Sequence, residues 1–261
     1  MGARRRARAR RRLTAEIRIR PLPGLPEIRE GAGLGALIAE AGSPTGDEIV
    51  VVSQKVVSKA EGRLRALDRV EPGREALEVA SRVQKDPRLV QLALEESVAV
   101  IRAEPGVLIT ETRSGWICAN AGIDSSNLER PGAVALLSED PDRSARQLRA
   151  AIRARSGSAP GVVIADSFGR PWRLGQTDMA IGAAGVFPAD DWRGRTDSHG
   201  RELRATVIAV ADQIAAAGDL IRAKDEAIPG AVVAGLERFV TAEDGPGATA
   251  LRRPREEDLF R

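Results

Sequence analysis

The sequence predicts an α+β fold in which mixed sheets pack with helices. Three observations lead to this prediction: helical and strand-like segments both occur, several apolar runs are rich in β-branched residues, and the two kinds of segment do not alternate strictly. A plain Rossmann fold or barrel requires that alternation, so the pattern disfavours both. The chain of 261 residues is 43% hydrophobic and 30% charged, the balance of a globular protein with one large core or two modest ones.

In the first half of the chain, turn residues separate the predicted elements. Residues 14–22 alternate as a strand does, residues 34–42 form a short helix after a Pro- and Gly-rich stretch, and residues 47–54 read as a buried β-branched strand. Residues 74–84 and 87–97 carry apolar side chains at helical spacing. Residues 97–104 and 107–113 are predicted strands, and 113–122 a hairpin partner.

In the second half, residues 138–155 predict a helix with Asp140 as N-cap and Pro141 in the first turn. Residues 161–167 predict a strand that ends in Asp166, and residues 178–185 an irregular strand. The apolar spacing of residues 201–223 predicts a long helix of about four turns or more. Residues 230–236 predict a last strand before a charged C-terminal stretch.

The charge of the chain is concentrated at its start. The formal net charge is +3, and residues 1–12 hold seven arginines and no acid, so the rest of the chain carries −4. We expect residues 1–13 to form a disordered extension. The alternative is an arm that binds nucleic-acid phosphates, which we disfavour because no aromatic residues are interleaved for base stacking.

Several functional classes are disfavoured by what the sequence lacks. No run of 18 apolar residues predicts a membrane span, and the single Cys118 excludes an intramolecular disulfide, so we expect a cytoplasmic protein. There is no GxxxxGK[ST] loop, and the glycines at 31–35 have the wrong spacing for a dinucleotide fingerprint. The only histidine, His199, lies in a polar loop and is a poor candidate for a catalytic triad.

Two short acidic segments are candidates for a metal site. Asp124 and Asn127 follow a predicted strand in ANAGIDSSN, and Asp166 and Ser167 follow another in VVIADSFGR. Carboxylate and hydroxyl oxygens are the ligands that Mg²⁺ and Mn²⁺ prefer. For either aspartate alone, a turn or N-cap role is the simpler interpretation, but two such segments in one chain favour a shared site.

Basic residues near these segments could hold phosphates or carboxylates. In GRPWRLGQTD, residues 169–178, rigid Gly, Pro and Trp are combined with charge, a pattern that favours a formed pocket over a loose surface loop. A solvated surface is the alternative for the lone positions such as Arg63. The candidates are Lys55, Lys59, Arg63, Arg170, Arg173, Arg193 and Arg195.

The chain resembles the coenzyme F420-0:L-glutamate ligase family, the F420 γ-glutamyl ligases, in blocks that follow one another from about residue 16 to 261. These blocks are GLPEIREG, VVVSQKVVSKAEGR, DPRLVQLALEES, ICANAGIDSSN, IADSFGRPWRLGQTDMAIGAAG, RGRTDSHGRELRATVIAVAD and REEDLF. The resemblance implies an unusual mixed ligase fold over residues 14–261 and leaves open whether it comprises two closely joined lobes. It also implies a homodimer.

The resemblance implies a reaction as well. GTP would phosphorylate the terminal carboxylate of F420-0, and the amino group of L-glutamate would attack the acyl phosphate to give an amide, GDP and phosphate. Two ions of Mg²⁺ or Mn²⁺ are expected as cofactors, and the participation of K⁺ stays open. By position, the resemblance assigns catalysis to Asp124, Asp166 and Lys59, metal binding to Asp124, Asp166 and Ser167, and GTP binding to Leu25, Pro26, Glu27, Ile28, Gln54, Lys59 and Asn127.

Some positions depart from the family pattern. Ser167 stands where Thr is usual, which keeps the hydroxyl. The nucleotide-contacting loop of the family usually has a Gly before its Lys and ends in Arg-Gly, and this chain departs from that pattern at Arg222, Ala223 and Ala234. The last GTP contacts are therefore in doubt, with Asp225 and Glu226 as weak further metal candidates. Two alternatives remain: a related acid-amine ligase with another acceptor or nucleotide, and a nucleic-acid-associated protein that uses the arginine arm.

Overall fold

The computed structural model describes residues 16–222 and 228–258 and confirms an α+β fold of mixed sheets with helices, without a barrel. The arginine-rich segment 1–13 lies outside the described residues, as do Asp225 and Glu226. Among the helices of the described ranges, none combines the length and apolar character that crossing a membrane requires.

Six α-helices and twelve strands occur within the described ranges. The helices are α1 (Leu34–Gly42), α2 (Gln54–Ala60), α3 (Arg74–Val83), α4 (Pro87–Glu95), α5 (Pro141–Ser156) and α6 (Val210–Asp219). The strands are β1 (Arg18–Pro21), β2 (Ile49–Ser53), β3 (Leu64–Ala66), β4 (Ser97–Glu104), β5 (Val107–Thr112), β6 (Ile117–Ala119), β7 (Ala133–Ala135), β8 (Gly161–Arg170), β9 (Arg173–Ala184), β10 (Ala189–Asp191), β11 (Val207–Ala209) and β12 (Gly230–Ala234).

A five-stranded sheet in the order β1-β12-β2-β8-β9 forms the centre of the protein. Among the described strands only β2 and β8 pair in parallel, and their paired residues are buried except for the last, Ser53, as the continuous β-branched runs predict. Helix α1 packs against Val232 and helix α6 against Val51. Val232 pairs with Val50 and therefore lies on the same face of the sheet as Val50. Since neighbouring side chains alternate between faces, Val51 lies on the other face, so the two helices cover opposite faces.

A smaller cluster of apolar residues lies outside this sheet. Helices α3 and α4 pack on the three-stranded sheet β4-β5-β6, where Val83, Val90 and Leu108 are buried together. The predicted N-cap of α5 is present, because Asp140 accepts from the backbone N of Arg143, and Asp86 caps α4 in the same way by accepting from that of Arg88. The carboxylate of each cap satisfies an N–H group that the first helical turn leaves unpaired.

The prediction of a long helix over residues 201–223 was wrong. Helix α6 has ten residues, which is about 15 Å or less than three turns, and it begins only at Val210. The preceding residues Val207–Ala209 form β11, which pairs with β10 in a two-stranded ribbon. Val207 and Ile208 are β-branched and favour an extended backbone when a partner strand is present.

The prediction of a formed pocket was wrong for residues 169–177, and only Asp178 of the segment 169–178 lines a cavity. Strand β8 does not end at Asp166 but continues to Arg170, and a tight turn at Pro171 and Trp172 leads into β9. Trp172 is 79% exposed and Leu174 is 96% exposed. The guanidinium of Arg170 donates to the backbone oxygen of Leu174, so Pro and Arg serve here to close a projecting hairpin.

A β-bulge interrupts the β8–β9 pairing immediately before Asp166. Ile164 pairs with Gly182, but the next residue, Ala165, pairs with Ala180, so β9 contains one extra residue. Gly182 lies against the start of α5: a Cβ at this position would be 2.3 Å from the backbone oxygen of Pro141. Bulges bend a strand and redirect the side chains beyond it. The contact with α5 therefore holds the bend that precedes Asp166.

We expect Gly182→Ala to lower the free energy of unfolding by about 1–3 kcal/mol, because the added methyl group overlaps backbone atoms that cannot move independently. The matched control is Gly169→Ala in the same hairpin, where a Cβ meets no atom within 4 Å. That variant should stay within about 0.5 kcal/mol of the parent chain. Denaturant unfolding measures both, and equal effects of the two substitutions would contradict the close approach.

Candidate functional site

A cavity of about 240 Å³ opens where the paired part of β2 and β8 ends. The last parallel pair is Ser53 with Ala165, so Gln54 at the start of α2 and Asp166 in β8 directly follow it. The carboxyl ends of adjacent parallel strands are a common place for ligands in α/β proteins. All ten residues to which the resemblance assigned a role line this cavity: Leu25, Pro26, Glu27, Ile28, Gln54, Lys59, Asp124, Asn127, Asp166 and Ser167.

Asp124 reaches the cavity through a turn of unusual backbone conformation. Asn120, Ala121 and Gly122 follow β6 with φ values of 50°, 55° and 71°. A left-handed conformation of a residue other than glycine costs about 1–3 kcal/mol and is found most often at functional sites. Two backbone hydrogen bonds of 3.0 and 2.8 Å then tie Asp124 to Ala135. The turn and this bridge fix the position of the carboxylate.

The carboxylate of Asp124 already has a cationic partner. The Nζ atom of Lys55 lies 2.7 Å from Asp124 Oδ2 and also donates to the backbone oxygen of Ser126 at 2.7 Å. Burial alone would raise the pKa of Asp124, but the hydrogen bonds from Lys55 and Ser126 outweigh it and leave the pKa below its ordinary value. Asp124 is therefore ionised at neutral pH.

Asp166 differs, because no ion pair reaches it from residues 16–222 or 228–258. Burial raises its pKa to about 7, with further contributions from the negative charges of Asp178 and Asp124. Burial and the charge of Asp166 also raise the pKa of the Cys118 thiol to about 12. The two pKa shifts have the same sign chiefly because burial disfavours the charged form of an acid, and neighbouring negative charges, which a bound cation would neutralise, add to both.

The oxygen atoms at this position fit a hard divalent cation. Within the described ranges no group of three or more His, Cys, Asp or Glu side chains is placed to hold a metal ion. Asp124, Asp166 and Ser167 instead offer two carboxylates and one hydroxyl at the same cavity. Mg²⁺ is typically held by one or two carboxylates together with water and substrate phosphates. The donor set therefore fits Mg²⁺ or Mn²⁺ bound jointly by the protein and a phosphate ligand.

The cavity is also lined by a second cation and by a free amide group. Lys59 is largely buried, and its Nζ atom lies 2.5 Å from Glu27 Oε1, which ties the segment around residue 27 to α2. Gln54 is 2% exposed and its Oε1 atom lies 2.7 Å from the hydroxyl of Ser58. Its Nε2 atom has no partner within the described part of the chain. An unpaired buried amide is costly, so a polar ligand would be favoured here.

Comparison with known proteins identifies the family of this chain. The family model described as F420-0:Gamma-glutamyl ligase matches residues 24–235. The chain belongs to the F420-0:gamma-glutamyl ligase family. The matched range contains each of the ten residues that line the cavity and were assigned from the resemblance.

Similar proteins extend over almost the full length of this ligase. A coenzyme F420:L-glutamate ligase of Methanopyrus kandleri is 43% identical over 94% of the chain and 98% of the relative. The protein of the same name from Methanothermobacter thermautotrophicus is 39% identical over 91% and 96%, respectively. That of Methanocaldococcus jannaschii is 37% identical over 89% and 91%.

Three charged residues of the ligase cavity were not predicted from the sequence as site residues: Asp178, Asp219 and Arg222. The hydroxyl of Ser167 donates to Asp178 Oδ1 at 2.7 Å, and the guanidinium of Arg222 pairs with Asp178 and, at 3.3 Å, with Asp219. Asp178 joins the cavity because it pairs with Ser167 across the β8–β9 hairpin. The turn at the tip is visible in the sequence, but bulges shift the strand register, so counting residues from the turn does not identify this pair.

The remaining basic candidates lie away from the ligase cavity. Arg63 lines a separate cavity of about 210 Å³ and pairs with Glu96 at 2.5 Å and Glu139 at 3.2 Å. Arg193 and Arg195 pair with Asp191 and Asp190 in the β10 ribbon, and Arg170 and Arg173 belong to the projecting hairpin. His199 is exposed in a loop. None of these residues lines the first cavity.

Proposed function

We propose that this chain is a GTP-dependent ligase that joins the carboxylate of coenzyme F420-0 to the amino group of L-glutamate through an acyl phosphate. The observation that carries the proposal is the convergence of the ten assigned residues on one cavity, in which the carboxylate of Asp166 has no cationic partner within the described ranges. A phosphate-bound divalent cation would supply that partner. The names of the similar proteins support the substrate class.

The proposed reaction has two transfers. A carboxylate oxygen of F420-0 attacks the γ-phosphorus of GTP, the bond to the β-phosphate oxygen breaks, and GDP leaves. The amine of glutamate then attacks the acyl carbon, a C–N bond replaces the C–O bond, phosphate leaves with the electron pair and the amine loses a proton. Catalysis of such a transfer consists mainly of positioning and charge stabilisation.

Two groups of residues in the cavity would have different roles in this reaction. Asp124 and Asp166 would hold Mg²⁺ or Mn²⁺, which when bound neutralises phosphate charge. Lys59 is buried and has one carboxylate partner, Glu27, so its ammonium group can turn towards a phosphate oxygen. The free amide end of Gln54 is available as a polar contact, with the segment 25–28 and Asn127 at the rim of the cavity.

A mass measurement of the product tests the function. We expect the protein, incubated with F420-0, L-glutamate, Mn²⁺ and GTP, to give a product heavier by one glutamate residue or more, with release of GDP. Replacing GTP by ATP distinguishes the nucleotide, and other carboxylates in place of F420-0 distinguish a related acid-amine ligase. A chain that lacks residues 1–12 should keep its activity. No mass increase under any condition would overturn the proposal. Nucleic-acid binding that is lost on deletion of residues 1–12, in a chain without ligase activity, would favour the nucleic-acid alternative.

We expect Asp166→Asn to reduce turnover about 100-fold or more, because several kcal/mol of charge stabilisation depends on the cation that the carboxylate holds. The melting temperature should not fall, since burial disfavours the charged form of Asp166 and the amide avoids that cost. The matched control is Asp191→Asn, the same change at an exposed carboxylate outside the cavity. Near-parental rates for Asp166→Asn would contradict the assignment.

We also propose that the protein works in the cytoplasm as a homodimer. The projecting β8–β9 hairpin supports a second copy as partner, because Trp172 and Leu174 expose large apolar surfaces at its tip. Light scattering should give twice the chain mass of 27.8 kDa. Replacing both side chains by Ser should shift the mass towards that of one chain, and a parental chain that is already monomeric would refute the dimer.

A further inference from the structure

The hydroxyl of Ser167 is held by a buried carboxylate on the neighbouring strand. Ser167 and Asp178 are paired in the β8–β9 hairpin, and the Oγ atom lies 2.7 Å from Asp178 Oδ1. Asp178 is 2% exposed. Beyond the last pair with β2 the edge of β8 is open, so the consecutive residues Asp166 and Ser167 both line the cavity.

Arg222 keeps Asp178 able to accept this hydrogen bond. Its guanidinium contacts the second carboxylate oxygen of Asp178 and lies 3.3 Å from Asp219 Oδ1, and its side chain is 7% exposed. One oxygen of Asp178 is contacted by this guanidinium and the other by the Ser167 hydroxyl. Both oxygens therefore accept, which is the pairing of an ionised carboxylate.

An ionised carboxylate has no proton, so the hydroxyl of Ser167 must be the donor in this pair. A serine hydroxyl has one proton and two lone pairs. Once the proton is committed to Asp178, the oxygen can offer only lone pairs to a ligand in the cavity. Ser167 therefore acts towards that ligand as an acceptor or a cation ligand, and not as a donor to a phosphate.

We propose that Asp178 is a positioning residue for the cation site: it orients the Ser167 hydroxyl so that the oxygen faces the cation, and Arg222 maintains Asp178 as the acceptor. This inference rests on the proposed function, because it assumes that Asp166 and Ser167 bind the cation. It assigns Asp178 a role that it exerts through Ser167 alone. A direct electrostatic or ligand role of Asp178 and a purely structural ion pair are the rival interpretations.

A double-mutant cycle on Mn²⁺ affinity separates these interpretations, since residues that act through one another show non-additive effects. Mn²⁺ binding to the full chain without nucleotide is measured for the parent, Ser167→Ala, Asp178→Asn and the double variant. We expect each single change to weaken binding about tenfold, the usual effect of removing a partner that orients a ligand. The double variant should bind within about twofold of Ser167→Ala.

Two controls accompany the cycle. Ser167→Thr keeps the hydroxyl and should retain affinity within about threefold, consistent with an effect of the oxygen. Asp212→Asn makes the same charge change at a carboxylate that accepts from the backbone of Ala180 and does not line the cavity, and it should leave affinity within about twofold. Should Asp178→Asn not fold with Arg222 unpaired, the cycle is run with Asp178→Asn/Arg222→Gln, which removes both charges.

The outcomes are distinct. Losses that multiply to about 100-fold in the double variant would show that Asp178 acts independently of Ser167 and would overturn the inference. A lowered melting temperature with unchanged Mn²⁺ affinity would show a structural pair and would overturn it as well. In both cases the proposed function would stand, because the parental chain binds Mn²⁺. Absence of Mn²⁺ binding to the parental chain would overturn both proposals.

Discussion

The parallel pairing of β2 with β8 is the contact on which the site depends. It is the only parallel pairing in the central sheet, and it makes two chain segments more than a hundred positions apart end side by side. The buried β-branched runs of both strands stabilise this pairing through apolar burial, at about 25 cal/mol for each Å² removed from water. The apolar core thus supplies the free energy that keeps polar groups of like charge near one another at its edge.

Burial and charge have different effects on Asp124 and Asp166, the two carboxylates assigned to the cation in this cavity. Asp124 is balanced by Lys55, so its environment is satisfied without a ligand. Asp166 is shielded from water and has no cationic ion-pair partner within the described ranges. The rise of its pKa to about 7 reflects the free-energy cost of keeping this buried carboxylate charged. A polar site that is partly unsatisfied in the free protein can gain more from binding than one that is already satisfied.

Much of the fold could be predicted from local patterns. The helices at 34–42 and 141–156 and the buried strand at 49–53 follow from periodicity and caps, which act within a few residues. The start of α6 could not be predicted, because Val207–Ala209 becomes extended only through its partner β10. The projecting hairpin was misread because Pro and Arg can close a turn as well as build a pocket.

The candidate site could be predicted where residues stand in recognisable local segments, as Asp124, Asp166 and Lys59 do. Residues that reach the site through strand register, or from distant segments of the chain, could not be predicted. Asp178 joins the site through cross-strand pairing, and Arg222 joins it because α6 ends beside β9. Charge alone did not identify the basic residues of the site. Arg63 and Arg193 were candidates because they are basic, but they pair with Glu96 and Asp191 in contacts that the sequence pattern does not reveal.

The extra residue of β9 leaves the alternation of side chains in the distal hairpin unchanged. Ile164 and Ala165 lie on opposite faces of the sheet, so their partners Gly182 and Ala180 also do, although these are two positions apart. Loss of the residue between them would close the bulge and still leave Asp178 opposite Ser167. The bulge thus allows β9 to shorten by one residue without loss of the pair that orients the Ser167 hydroxyl.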